Sequence, residues 1–439
     1  MRRLLLVLLA ASLAQSAPES RLSRSTENLR GVSAVSRQIA WASGTHGTYL
    51  RTTDGHIWIP EQVPGAESLD FGAVVAFSAD EAFLMSAGPG DQSRIYHTAD
   101  RGRHWQLQFT NTNPKGFFDS MVFWDPTHGI VLGDPIPDVT SQDAGQLKFE
   151  LLMTNDGQTW THIPPAQLPP AIEGEGAFAA SNTCLAILNS PAMTQAALIN
   201  NPVILSGDTR SAKRDACRSR RTPCNSPPPE PAQGILTTDA VAASLVPVSW
   251  KSGYSAPREP SEKEAASAPD PNIWFATGGR AARVFHSHDR GKTWQVFDTP
   301  ITHGPDSAGI FSIAFRDANH GIIAGGDYKH PDEDGPNLAF TNDAGKTWTV
   351  SKIKPQSYYS AVAYDRKHKD PKASTLDENQ ANTRLFVVSP KFVYDFRPPK
   401  NPTRISPRKK SPMQFNAVSP YPEGGALVVG PKGTVASIP

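Results

Sequence analysis

Cysteine is scarce in this chain: Cys184, Cys217 and Cys224 are the only three among 439 residues. They form no metal-ligand spacing and are too few for a disulfide scaffold. In an oxidising compartment Cys217 and Cys224, in "DACRSRRTPCNS", could close a small loop and leave Cys184 unpaired. An excess of one charge is lacking too. Forty-three basic residues face 42 acidic ones, a formal net charge of +1, so no whole-chain field draws nucleic acid or an anionic membrane. Beyond the first residues no apolar run approaches the ~20 residues of a membrane-spanning helix. Also missing are a Gly-x-Ser-x-Gly elbow, a phosphate loop and a His-Glu-x-x-His pair, which removes the common hydrolase, nucleotide and zinc-protease signals. No cofactor is expected.

What is present begins with "MRRLLLVLLAASLAQSAPES": two arginines, an apolar run, then small residues. This is the layout of a secretory signal peptide, read as residues 1–16, with cleavage after Ala14 nearly as good. The expected location is extracytoplasmic, periplasmic or secreted, with membrane association only through a partner. Forty prolines and 33 glycines against 38% hydrophobic residues suit a turn-rich all-β chain.

One short pattern recurs. "TADRGRHW" (98–105), "SHDRGKTW" (287–294) and "TNDAGKTW" (341–348) share a Ser/Thr-x-Asp-x-Gly-x-x-Trp template, and "TTDGHIW" (52–58) and "TNDGQTW" (154–160) are one residue shorter. Aspartate followed closely by glycine favours a hairpin turn, the carboxylate accepting hydrogen bonds from turn amides and glycine taking positive φ. The tryptophan can cover ~150–250 Å² against a neighbouring sheet. The structural set is therefore Asp54, Trp58, Asp100, Gly102, Trp105, Asp156, Gly157, Trp160, Asp289, Gly291, Trp294, Asp343, Gly345 and Trp348. As catalytic acids these aspartates make little sense, being equivalent groups spread around one repeat.

A second pattern precedes the turns. "GFFDSMVFWDPTHGIVLGD" (116–134) parallels "AGIFSIAFRDANHGIIAGGD" (308–327): strand, Asp-x-x-His-Gly turn, strand. A unit of four short antiparallel strands in roughly 45–55 residues is a propeller blade. The spacing predicts a single seven-bladed β-propeller over 29–439, with blades near 29–64, 70–110, 116–164, 174–299, 307–352, 357–406 and 413–439. Six or eight blades stay open. The last two blades lack the aspartate turn, and the seventh shows three strands. A fourth there is expected from the N-terminal segment 17–28, which would close the ring and remove exposed sheet edges. Within the fourth blade, 188–271 is rich in Pro, Ser, Ala and charge and reads as a largely disordered insertion.

Strand reversal sorts the loops. Connections between first and second strands share a face with the aspartate turns; the remaining loops open on the other face, where acids collect. Asp134, Asp138, Glu173, Glu175, Asp327, His330, Asp332 and Asp334 all fall there. Paired carboxylates suit glycoside hydrolysis, for which Asp134, Glu173, Glu175 and Asp327 are the candidates, and an oxygen cluster suits a bound Ca²⁺. Solvated turns use the same residues. His128 and His320 read as turn residues bonded to backbone, without the partners a zinc site needs.

At these repeats the chain resembles the Asp-box, or BNR-repeat, propellers, a group that includes sialidases. Its opening "LRGVSAVSRQIAWASGTHGTYLRTTDGHIW" looks most like the photosystem II stability/assembly factor family and its bacterial relatives. That resemblance implies a scaffold that binds protein partners, here another envelope or secreted protein. The Arg-Ile-Pro motif that sialidases carry ahead of the first turn is missing before Asp54, and the nearest match, "FRPP" (396–399), stands at the wrong end. The alternative is a carbohydrate-binding or glycoside-hydrolysing propeller that uses the acidic face.

Overall fold

The computed structural model describes residues 19–139, 145–179, 181–188, 272–352, 357–366, 384–396, 403–405 and 414–439. The expectations for residues 1–16, for Cys217 and Cys224, and for all but the first residue of 188–271 lie outside them.

Apolar alternation builds strands, and the strands assemble into seven four-stranded antiparallel blades arranged as a seven-bladed β-propeller, the sheet of the fifth blade being extended by two short strands, Glu175–Gly176 and Gly278–Gly279. Blade 1 runs Leu29–Ala34, Ala40–Gly44, Thr48–Thr52 and Ile59–Gln62 in simple meander order. Blades 2 and 3 repeat that order from Phe71–Ala76 and Phe118–Asp125. Blade 4 starts at Leu185–Ile187 and takes its second strand, Ile273–Ala276, from beyond the insertion. Blades 5 and 6 begin at Ala308–Phe315 and Ala361–Tyr364.

Blade 7 supplies Ala417–Pro420, Ala426–Gly430 and Thr434–Ile438, and its outermost strand is Glu19–Ser20. Glu19 pairs with Ser437 and Ser20 with Ala436. The ring is thus sewn shut by joining the first described residues to the last strand, which leaves no inner seam unpaired.

Burial explains why the sheets stack. Each seam between neighbouring blades encloses its own apolar cluster, including the seam of blade 7 with blade 1, where Val32, Ala42 and Leu50 meet Ala417, Leu427 and Val435. The tryptophan of each aspartate turn enters the seam with the preceding blade. Trp58 lies between blades 7 and 1, Trp105 between 1 and 2, Trp160 between 2 and 3, Trp294 between 3 and 4, and Trp348 between 4 and 5. Blades 6 and 7 lack the turn. Tyr359, Tyr394 and Phe396 serve the seam of blades 5 and 6, and Phe415 the next.

Near the axis, inner-strand serines bond to the adjoining blade. Ala34 N–H donates to Ser419 Oγ at 3.0 Å, Ala76 N–H to Ser33 Oγ at 3.0 Å, and Val362 N–H to Ser312 Oγ at 2.9 Å. Inner strands of different blades share no backbone ladder, so these hydroxyls satisfy amides that would otherwise be buried without partners. Nothing in the repeat pattern announces this belt, because serine is equally common on exposed strands.

Candidate functional site

The aspartate turns define one face. In the second turn Thr98 Oγ1 accepts from Gly102 N–H at 3.0 Å and Asp100 Oδ1 from His104 N–H at 2.9 Å. In the third, Asp156 Oδ1 accepts from the amides of Gln158 and Thr159, each at 2.8 Å. The fourth and fifth turns use Asp289 with Thr293 and Asp343 with Thr347 at 2.9 Å, and the first uses Asp54 with His56 and Ile57 at 2.8 Å. The longer turns place two consecutive residues at positive φ: Arg101 and Gly102, Arg290 and Gly291, Ala344 and Gly345. Donation to the ionised form, from turn amides at Asp54 and Asp100 and from threonine hydroxyls as well as amides at Asp156, Asp289 and Asp343, holds these carboxyls below the usual range; that of Asp100 drops to about 2 through the His104 amide and ring. The five groups are structural ties on separate blades.

The turns between first and second strands touch the same face: Arg101 N–H donates to Asp80 O at 2.9 Å and Ala344 N–H to Asn319 O at 3.0 Å. His128 and His320 sit there. Their rings pair with the carboxylates of Asp125 at 2.9 Å and Asp317 at 2.7 Å, so the ring partners are side chains rather than backbone.

The opposite face carries the acids that the sequence singled out, and they disperse. Glu175 is buried, and both its oxygens are engaged: Oε1 accepts from Thr277 Oγ1 at 2.6 Å and Arg283 Nε at 2.9 Å, and Oε2 from Ile172 N–H at 2.9 Å and the second Arg283 nitrogen. Glu173 is exposed. Asp327 caps the Lys329 amide at 2.9 Å and pairs with His330 at 2.8 Å, which lowers its own pKa and raises that of His330. Asp332 pairs with Lys391 of blade 6. Asp138 is buried in its hairpin, and Asp334 is exposed. Among the described residues no three His, Cys, Asp or Glu side chains converge to hold a metal ion.

Asp134 is placed differently. It lines a cavity of about 430 Å³ together with Asn28, Arg30, Phe117, Asp119, Ala177, Phe178, Ala179 and Asn416. These residues enter from the innermost strands of blades 1 and 3, the end of the second strand of blade 3, the approach to blade 4 and the start of blade 7, so the cavity opens around the axis. Three features make it chemically unusual. Arg30 makes no ion pair or hydrogen bond with a described residue. Asp119 is 1% exposed, and its Oδ2 has no hydrogen-bond partner. Asp134 accepts a single bond from the Ala177 amide at 2.9 Å. Burial, and then the Asp134 charge, push the Asp119 carboxyl well above the usual range. Burial raises Asp134 as well, against the pull of the Ala177 amide.

A close approach of backbones builds the Phe178 wall. Gly278 pairs with Gly309 where blade 4 meets blade 5. A Cβ on Gly278 would meet the Phe178 ring at 2.2 Å and Gly309 Cα at 2.8 Å. Phe178 also stacks edge-on against Phe311 at 4.6 Å. Sequence reasoning selected Asp134 but missed Asp119, Arg30, Asn28 and Asn416. The cue was available: a charged residue inside an otherwise apolar inner strand, as in "FFDSMVF", stands where the pattern calls for a small or apolar side chain.

No protein-family model matches the chain, and neither does any curated protein. Solved structures do. The chain is similar to YCF48 bound to D1 peptide, with a TM-score of 0.54 at 13% identity, covering 97% of this chain and 98% of that one. It is also similar to a catalytically inactive virginiamycin B lyase from Staphylococcus aureus with quinupristin, with a TM-score of 0.52 at 9% identity, covering 96% and 98%. YCF48 from Cyanidioschyzon merolae gives 0.49 at 14% identity over 96% and 98%. At such identities the first two likenesses are ones of architecture, and the architecture they support is the single propeller.

Proposed function

We propose that this protein is a binding scaffold that docks a segment of a partner protein over the channel mouth on the face opposite the aspartate turns. The observation that carries the reading is the axial cavity, in which Arg30 and Asp119 are held by the fold without partners of their own. Buried polar groups are ordinarily satisfied within the chain. A site that keeps a buried carboxylate oxygen unsatisfied, beside a partly exposed arginine and two phenylalanines, has the mixed character of a ligand pocket. That a propeller of this architecture has been solved with a peptide bound supports a protein partner. The N-terminal layout supports an extracytoplasmic setting, and hence an envelope or secreted partner.

The reading is tested with a displayed library of random dodecapeptides, panned on the immobilised full-length protein. We expect peptides with micromolar affinity whose binding falls at least tenfold in Ala179→Trp, which fills the cavity without changing its charge, and is unchanged in Ile57→Glu, an exposed position beside the first aspartate turn. Failure to enrich any peptide, or enrichment indifferent to Ala179→Trp, would overturn it.

A further inference from the structure

We infer that the axial cavity receives an alkylammonium group, the end of a lysine side chain, between Asp119 and Asp134, with its alkyl stem along Phe117 and Phe178. The inference rests on the scaffold reading for the origin of that lysine, but not for the chemistry of the site.

The argument begins with the orphaned oxygen. Asp119 Oδ2 is enclosed and bonded to nothing, although a buried acceptor without a donor costs stability. Asp134 keeps acceptor capacity beyond its one bond to Ala177. A protonated amine offers three donors on one atom and can serve both carboxyls, whereas a neutral hydroxyl donates only once.

Charge points the same way. The titratable or charged groups around Asp119 are Asp134 on the adjacent strand, the buried Cys184 thiol of blade 4, and Arg30, which lines the same cavity. With both acids ionised, one arginine offsets one carboxylate and leaves the second uncompensated. A single added cation restores neutrality. Without it, burial favours the protonated form of Asp119. Binding of the cation then releases that proton to solvent, the ammonium keeping its own, so affinity rises with pH until Asp119 is ionised in the free protein. The phenylalanine walls suit four methylenes better than a polar chain. No metal need be invoked, because a third ligating side chain is lacking among the described residues.

The test is calorimetric titration of the full-length protein with three probes: Nα-acetyl-lysine methylamide, its norleucine counterpart and n-butylammonium. We expect the lysine probe and n-butylammonium to bind and norleucine to bind at least tenfold more weakly. Asp119→Asn should weaken the two cations at least tenfold while retaining a cooperative melt, and Asp134→Asn should weaken them as well. Titration in two buffers of different ionisation heat should show proton release on binding. Equal binding of lysine and norleucine probes, or cation binding indifferent to Asp119→Asn, overturns the inference. The two readings separate cleanly. Library peptides that bind without lysine and ignore Asp119→Asn sink the ammonium site and leave the scaffold. A cavity that binds n-butylammonium while no peptide is enriched sinks the scaffold and leaves the ammonium site, its ligand then a free amine.

Discussion

Asp119 works against the stability of the residues that hold it. Its carboxyl titrates higher in the folded chain than in the unfolded one, so the native state holds the proton longer, and stability declines as pH rises from the ordinary aspartate range through the raised value. Asp119→Asn removes that loss. The melting midpoint should rise by about 2 °C near pH 7.5, and the gain should vanish toward pH 3, where both states carry the proton. His286 acts in the other direction. It stacks on Trp274 at 4.7 Å and bonds Asn272, and burial, with help from nearby His288 and Lys346, pushes its pKa from 6.5 down to about 4. The unfolded chain protonates first, so the contribution is complete above pH 6.5 and is lost as pH falls toward 4. Melts followed against pH should show His286→Phe flattening the decline across that window. Neither effect could be read from the sequence, since both depend on what encloses one side chain rather than on its neighbours in the chain.

The aspartate turn is a different case, because its logic is local. Ser or Thr, Asp and Gly at fixed offsets close their hydrogen bonds within eight residues, and the sequence therefore displays the whole device. Which seam the tryptophan enters is not local. Trp294 is 8% exposed within the seam of blades 3 and 4, while Trp348 is only half-buried. Trp294→Ala should cost about 3–5 kcal/mol in denaturant unfolding, and Trp348→Ala distinctly less. The glycine junction is equally hidden: "TGG" and "SAG" look like ordinary turn material, and only the pairing of Gly278 with Gly309 shows why a side chain is excluded. Gly278→Ala should destabilise by about 1–3 kcal/mol and, by displacing Phe178, weaken cation binding in the same titration. The acids on the loop face were legible as a group but not as individuals. Composition cannot distinguish Glu175, locked to Arg283, from Asp134, left facing a cavity.

For the whole molecule, repetition made the blade number readable, since each repeat buries its face only against the next. The seam between blades 7 and 1 was legible only in outline, as a missing fourth strand. A chain lacking residues 1–28 should lose the strand Glu19–Ser20 and the bonds Arg21 N–H to Val435 O and Trp58 N–H to Leu22 O. Its melting midpoint should fall by several degrees and its tendency to associate should rise, both readable by light scattering during a thermal ramp. Ser419→Ala, which orphans the buried Ala34 amide at the same seam, should cost about 1–3 kcal/mol.

That stitch also has a consequence in time. Because the outermost strand of the final blade comes from the first described residues, a nascent chain can stack six sheets as an arc but has nowhere to lodge its opening segment until residue 438 has left the ribosome. The opening segment must stay unclaimed by other surfaces until that strand forms, and a chain stopped one strand short would present two naked flanks to its neighbours.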